Sequence, residues 1–315
     1  MMTQKIGVIG AGAIGQLMFN LIATQANSQT DTVVYLIGRE PSSHSSTLQF
    51  ITLSHSTQKN TIIVLGQENP ELAELDLVIV CVKAYQVDKL MCNLLPKLAS
   101  HCHIILLHNG MGPHLNAAKH LCGYPKMGLS LATTSQGALR NAQWQVTHTG
   151  NGQTTIGHYQ GQKLATSLKD CLSQAIPELI WHTDIITALW QKLIINCAIN
   201  PLTAIFACKN GQLEEDRFTK HIRKIVEECI EVAKADGISL SLPASIEMVY
   251  KVITLTANNI SSMYQDILQQ RKTEIDYISG YVVERAAQHQ IAVPANLNNQ
   301  QGIKALEIAN QSNAT

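Results

Sequence analysis

The 315-residue sequence predicts an α/β fold: an N-terminal Rossmann-type parallel-sheet domain followed by a C-terminal all-helical domain. Two patterns and one motif predict it. Short β-type apolar runs alternate with helical segments in the first half, as in a doubly wound sheet. From about Asp184 onward the strand patterns cease and apolar residues recur at three-to-four spacing. Between the first β run and the first helix stands a glycine-rich turn, Gly10-Ala11-Gly12-Ala13-Ile14-Gly15. The pattern changes near Trp181–Thr183, which divides the chain into domains 1–182 and 183–315.

Taken in order, Lys5–Ile9 is the first β run and an amphipathic stretch reaches Ala23. Further β runs are Thr32–Ile37, Gln49–Leu53 and Thr61–Leu65. Leu77–Val82 is nearly continuous in apolar residues, as suits a strand covered on both faces of a parallel sheet. Val87–Leu98 reads as a helix and His103–Leu107 as the next strand. Gln143–Thr147 and Gln153–Ile156 flank Thr149-Gly150-Asn151-Gly152, a hairpin signal. Helices are expected over Asp184–Ile205, Arg217–Asp236, Ile246–Gln270 and Thr273–Gln288, with Pro201 kinking or ending the first of them. The Asn- and Gln-rich stretch from Asn296 to Thr315 is weakly patterned and reads as partly disordered.

Bulk properties exclude several classes. Formal net charge is zero and the basic residues are scattered, so neither nucleic acid nor a membrane surface is an expected partner. The N-terminus lacks the pattern of a secretory signal, and no apolar run reaches the ~18 residues of a membrane span. Eight cysteines without a CxxC pair read as reduced, buried thiols of a cytoplasmic protein. His101, His103 and His108 flank a strand and do not form a metal-ligand pattern, so no metal is expected.

The glycine string fits G-x-G-x-x-G in its required context, after a strand and opening a helix. Gly10 allows the tight turn, Gly12 lets backbone approach a pyrophosphate, and Gly15 lets helix and strand pack closely. Gly10, Ala11, Gly12, Ala13, Ile14 and Gly15 are therefore candidate cofactor-binding residues. The second strand ends in Gly38-Arg39 where NAD enzymes usually carry a carboxylate. A guanidinium there suits a 2′-phosphate and favours NADP, although Glu40 follows directly. Lys83, with Gln86 a turn later, and Asn109 in Asn109-Gly110-Met111-Gly112 follow strand ends, where ligands of open α/β sheets bind. On spacing alone, a solvated lysine and a turn asparagine account for them equally well.

In the helical half, Lys192, Asn196 and Asn200 are spaced four apart among apolar neighbours. Such groups are costly to bury unpartnered and are better explained as lining a polar cleft. Asn259, Ser262 and Asp266 form a second aligned set, for which helix packing or solvent exposure is the competing explanation.

Taken together, the segments resemble ketopantoate reductases from Lys5 to about Pro294. The resemblance rests on Gly10–Gly15, Cys81-Val82-Lys83-Ala84-Tyr85-Gln86, His108–Gly112, Lys192–Leu202 and the run from Ser261-Ser262-Met263 to Thr273-Glu274-Ile275-Asp276. It implies an active site in a cleft between the two domains and NADPH-dependent reduction of 2-dehydropantoate to (R)-pantoate. Lys192 matches the general acid and Glu274 the residue binding the substrate's primary hydroxyl. Ser262, Asn196, Asn200 and Asn210 match substrate-binding positions, with Asn259 and Asp266 in or near the site. Asn109 matches a position between cofactor and substrate, Lys83 and Gln86 a cofactor-side pair, and Arg39 the 2′-phosphate partner. The alternatives are an NADP-dependent reductase of another small 2-keto acid, another two-domain dehydrogenase, or a dinucleotide sensor without chemistry. A monomer and a homodimer both fit.

Overall fold

The computed structural model describes residues 3–29 and 32–312. The chain forms two compact units. The first runs to His108 and resumes over Pro113–Ile185; the second comprises Asn109–Gly112 and the residues from Ile186 on. The turn after His108 thus groups with the second unit, a discontinuity that sequence patterning does not reveal.

The first unit contains β1 (Gln4–Ile9), α1 (Ala13–Gln29), β2 (Thr32–Ile37), β3 (His44–Ile51), β4 (Thr57–Leu65), β5 (Leu77–Val80), α2 (Ala84–Leu94) and β6 (His103–Leu107). It continues through α3 (Pro113–Leu121), β7 (Gly128–Thr134), β8 (Gly137–Ala142), β9 (Gln145–Gly150), β10 (Thr154–Gly161), α4 (Thr166–Ala175) and β11 (Leu179–Trp181). One sheet joins all these strands in the order β11-β10-β7-β6-β5-β1-β2-β4-β3-β9-β8. Its centre is parallel, with Val8 opposite both Leu36 of β2 and Ile79 of β5. Those residues are apolar on every position because helices cover the sheet, and Leu17, Met18 and Ile22 of α1 close one side of the core. The sheet curls so far that β8 and β9 also pack on α1, the helix that lies on β2.

The sequence-based hairpin is corrected here. β9 does not pair with β10; it pairs antiparallel with β8 and parallel with β3, while β10 pairs with β7 and β11. The tight turn lies one segment earlier, where Trp144 adopts a positive φ of 57°. The Gly150–Gly152 stretch is instead held to other segments: Gly150 pairs with Gly137, and the Gln153 amide donates to Ser135 Oγ at 2.9 Å.

The second unit is helical: α5 (Ile185–Ile205), α6 (Asp216–Ala235), α7 (Leu242–Leu255), α8 (Ser262–Leu268), α9 (Ser279–Gln288) and α10 (Pro294–Ser312). Three expectations change. α5 covers the span expected of it and runs through Pro201 to Ile205. Proline removes the N–H that would have bonded the Cys197 carbonyl, and buried Asn299 of α10 supplies a substitute donor, Nδ2 at 3.5 Å. The helix expected over Ile246–Gln270 is two helices, because Ser261 caps α8 by accepting the Tyr264 amide at 3.1 Å. The helix expected from Thr273 starts at Ser279.

The Asn-rich tail is α10 rather than disordered up to Ser312; residues 313–315 lie outside the described residues. Its asparagines have tertiary partners. The Asn296 Nδ2 and backbone N–H donate to Glu228 at 3.0 Å, and Asn310 Nδ2 donates to the Ile267 carbonyl at 2.8 Å. Glu228 also accepts from the Ala295 amide, so a buried carboxylate satisfies the first amides of α10.

α5 is also long and apolar enough to cross a membrane by length and composition, but most of it is buried inside the protein. All eight cysteines are free, and Cys92 and Cys122 are exposed, so those two depart from the buried thiols expected. Two of the three histidines singled out in the sequence diverge. His103 is buried, with Nε2 2.8 Å from Ser130 Oγ and its pKa lowered to about 4 by burial, while exposed His101 faces Asp76 at 3.2 Å. Among the described residues no three His, Cys, Asp or Glu side chains could hold a metal ion.

Candidate active site

In the first unit, the glycine turn joins β1 to α1. Gly10 sits at φ 103°, and a Cβ there would come 2.6 Å from the Cys81 carbonyl at the end of β5. A Cβ on Gly15 would fall on the Gly10 carbonyl oxygen. Two of the three glycines are thus demanded by the protein's own packing. Gly12 is not: nothing lies within 4 Å of where its Cβ would stand. A residue without a side chain, facing open space at a helix N-terminus, is a cradle for a ligand's backbone approach. No acidic residue stands in the first turn of α1 to repel an anion. Ala11, Ala13 and Ile14 complete the turn, and the Ala11 carbonyl is held by buried Gln16, whose Nε2 donates at 2.9 Å. These residues fit a dinucleotide pyrophosphate.

Arg39 is exposed just past β2, with its charge in solvent. Lys83 precedes α2 and Gln86 lies in its first turn; Oε1 of the Gln86 side chain accepts the Lys83 backbone N–H at 3.2 Å, closing the helix start. The side chain read as cofactor-facing therefore also has a local capping role.

In the second unit, α5 carries Lys192, Asn196 and Asn200 one turn apart, the first two half-buried and Asn200 buried. Burial lowers the Lys192 pKa to about 8, and the negative charge of Glu274 opposes the shift. Glu274 is itself buried, in the loop before α9. Glu274, 82 positions on in the sequence, is thus near enough for its charge to act on Lys192.

The Asn109–Gly112 turn belongs to the same unit. Gly110 and Gly112 both have positive φ, and the Met111 amide donates to the Tyr277 carbonyl at 2.8 Å. A Cβ on Gly110 would collide with that carbonyl, so glycine is required for the close approach of this turn to Tyr277.

The remaining positions separate. Ser262 is exposed at the start of α8. Its neighbour Ser261 is tied to α5 by Thr203, whose Oγ lies 2.7 Å away, a link between the two segments that the sequence reading missed. Asn210 is buried, with Nδ2 donating to Thr256 at 2.8 Å and Oδ1 lacking a protein partner among the described residues. Asn259 stands in the break between α7 and α8, so it does not share a helix face with Ser262 and Asp266; its carbonyl accepts the Asn210 amide at 3.0 Å. Asp266 is buried and paired with Arg271 at 2.8 Å. The Thr203–Ser261 link has a weak sequence signal, a threonine two residues after an in-helix proline. Its partner is 58 positions away.

The family model described as ketopantoate reductase PanE/ApbA matches residues 6–161, and its C-terminal model matches residues 184–307. The chain is 39% identical over 274 residues to the 2-dehydropantoate 2-reductase of Vibrio cholerae, covering 84% of this chain and 92% of that one. It is 37% identical to the 2-dehydropantoate 2-reductase of Yersinia pestis over 96% of this chain and 95% of that one. Among solved structures, a D-mandelate dehydrogenase with NADH and anilino(oxo)acetate superposes with a TM-score of 0.84 at 22% identity, covering 98% of this chain and all of the other. A ketopantoate reductase from Ralstonia eutropha does so at 0.81 and 24%, again over 98% and 100% of the two chains. The glycine turn, the half-buried lysine with its carboxylate, and these matches across both units converge: the chain belongs to the ketopantoate reductase PanE/ApbA family.

Proposed function

We propose that this protein reduces 2-dehydropantoate to (R)-pantoate with NADPH. The observation that carries the reading is the half-buried Lys192 with Glu274 acting on it, inside the region matched by the family's C-terminal model. Residues 1–182 supply the NADP-binding domain in this reading and residues 183–315 the substrate domain, in a cytoplasmic protein. NADPH, when bound, supplies the hydride.

The protein's own groups do the rest. A ketone carbon that accepts hydride leaves negative charge on its oxygen, and Lys192 both stabilises and protonates that oxygen from Nζ. A lysine held near pKa 8 is a stronger acid than an ordinary one and is still largely protonated at pH 7. Glu274 accepts the hydrogen bond of the substrate's primary hydroxyl and keeps the ammonium charged. Asn196, Asn200 and Asn210 line the substrate, and the free Oδ1 of Asn210 is an acceptor suited to a hydroxyl. Ser262 contacts the carboxylate; Asn109 lies between substrate and cofactor; Asn259 and Asp266 hold the surrounding loops. Gly10–Gly15, Lys83, Gln86 and Arg39 contact the cofactor, with Arg39 on the 2′-phosphate.

NADPH oxidation measured with 2-dehydropantoate and with a panel of 2-keto acids lacking the hydroxyl tests the reading, with NADH in parallel. The expected result is the highest kcat/KM for 2-dehydropantoate with NADPH, and a loss confined to NADPH in Arg39→Ala. Equal kcat/KM across the panel overturns the substrate assignment. No oxidation with any 2-keto acid leaves the non-catalytic sensor.

A further inference from the structure

We propose that Arg140 is a further cofactor-binding residue, gripping the pyrophosphate of a dinucleotide seated on the glycine turn; the inference rests on the reading of that turn given above. Arg140 lies on β8, an exposed strand at the far end of the sheet, 129 positions from the turn. The curl that brings β8 onto α1 delivers it there, and Nη1 donates to the Ala11 carbonyl at 3.3 Å.

That hydrogen bond is not what the carbonyl needs. Gln16 already donates to the same oxygen at a shorter distance, 2.9 Å. What Arg140 adds at this point is a positive charge. Among the described residues no carboxylate pairs with it, and none stands in the first turn of α1. A guanidinium has five N–H donors, of which the Ala11 carbonyl takes one, and its planar fork suits a phosphate. It is tethered one residue from Gly12, whose missing side chain leaves open space. Beside it, the fully buried Gln16 has an amide oxygen without a partner among the described residues, so the turn's polar groups are not yet satisfied by protein alone. The pyrophosphate is the anionic group that the turn presents to Arg140. The 2′-phosphate belongs to Arg39 at the end of β2.

Isothermal titration of wild type, Arg140→Ala, Arg140→Lys and Arg140→Gln with NADPH, NADH, ADP-ribose and adenosine 2′-monophosphate tests this, with a thermal melt of each variant as a fold control. In Arg140→Ala the Kd should rise about tenfold, about 1.4 kcal/mol, for the three ligands that carry a pyrophosphate. Adenosine 2′-monophosphate, which lacks one, should bind as before. Arg140→Lys should keep most of the affinity. Arg140→Gln retains a donor for Ala11 but not the charge, and should behave like the alanine variant. Wild-type affinity in Arg140→Gln or Arg140→Ala overturns the proposal, as does an equal loss on adenosine 2′-monophosphate. If wild type binds no dinucleotide, the reading of the turn falls with it; if wild type binds and the variants match it, Arg140 alone falls.

Discussion

Lys192 and Glu274 stand in an opposed electrostatic relationship: burial drives the lysine toward its neutral form, and the carboxylate holds the proton on. The balance sets the lysine near pKa 8 instead of 10.5. A proton donor must be protonated to act, so the sign is fixed. The group is competent below its pKa and is lost as pH rises through it.

The pH profile of kcat/KM should therefore show an alkaline limb near pH 8, falling tenfold per pH unit above it. In Glu274→Gln the charge that raises the lysine's pKa is gone, and the limb should move to lower pH. A limb that stays in place in this variant would separate the two groups. Lys192→Ala should lower kcat by about 10²–10⁴-fold, the range of a positioned general acid.

The same burial carries a stability consequence. A lysine whose folded pKa lies below its unfolded value binds fewer protons in the folded state between about pH 8 and 10.5. Stability rises with pH across that window. Lys192→Met removes the buried ammonium and should raise Tm at pH 7, by a gain on the order of 1–2 kcal/mol, while abolishing turnover. Thermal melts at pH 7 and pH 10 check it; the gap between variant and wild type should narrow at the higher pH.

The three glycines of the turn should separate into two behaviours. Gly15→Ala places a methyl on a backbone oxygen and should cost several kcal/mol in urea unfolding. Gly12→Ala meets nothing in the protein, so its unfolding midpoint should match wild type while NADPH affinity drops at least tenfold.

At the end of α6, Asp236 accepts Arg285 Nε at 2.9 Å and faces His289 Nε2 at 2.7 Å. Burial works to raise its pKa, but the hydrogen bonds and charges of Arg285 and His289 outweigh it and leave the carboxyl below 3.8. A depressed carboxylate contributes stability above its unfolded pKa and loses it as pH falls through the folded one. Asp236→Asn should cost about 2 kcal/mol at pH 7 and show a smaller loss of stability on acidification below pH 4. Equal acid slopes in the two proteins would remove Asp236 from the acid transition.

Much of this was legible in the residues. β2 and β6 begin and end where the apolar runs do, because continuous β-branched and leucine runs have few alternatives inside a covered sheet. The glycine turn was legible because its chemistry is local. Tertiary partners decided the misread elements. Pro201 reads as a kink or a break until Asn299 replaces the missing donor, and α10 reads as a polar tail until Glu228 and Ile267 bond its asparagines. The β8–β9 pairing was hidden because β9 has its parallel partner nearly a hundred positions earlier, in β3. The same limit hid Thr203 and Arg140, whose partners are remote in the chain.

The curl of the sheet also sets an order of events during synthesis. The residues of the glycine turn are made within the first 15, whereas β8, which joins the sheet through β9 and β3, is made more than a hundred residues later. Loop closure over so many residues is slow relative to forming a helix or a neighbouring strand pair. A growing chain thus carries the glycine-rich segment well before it carries Arg140. A fragment ending before β8 would retain the parallel centre of the sheet without that charge.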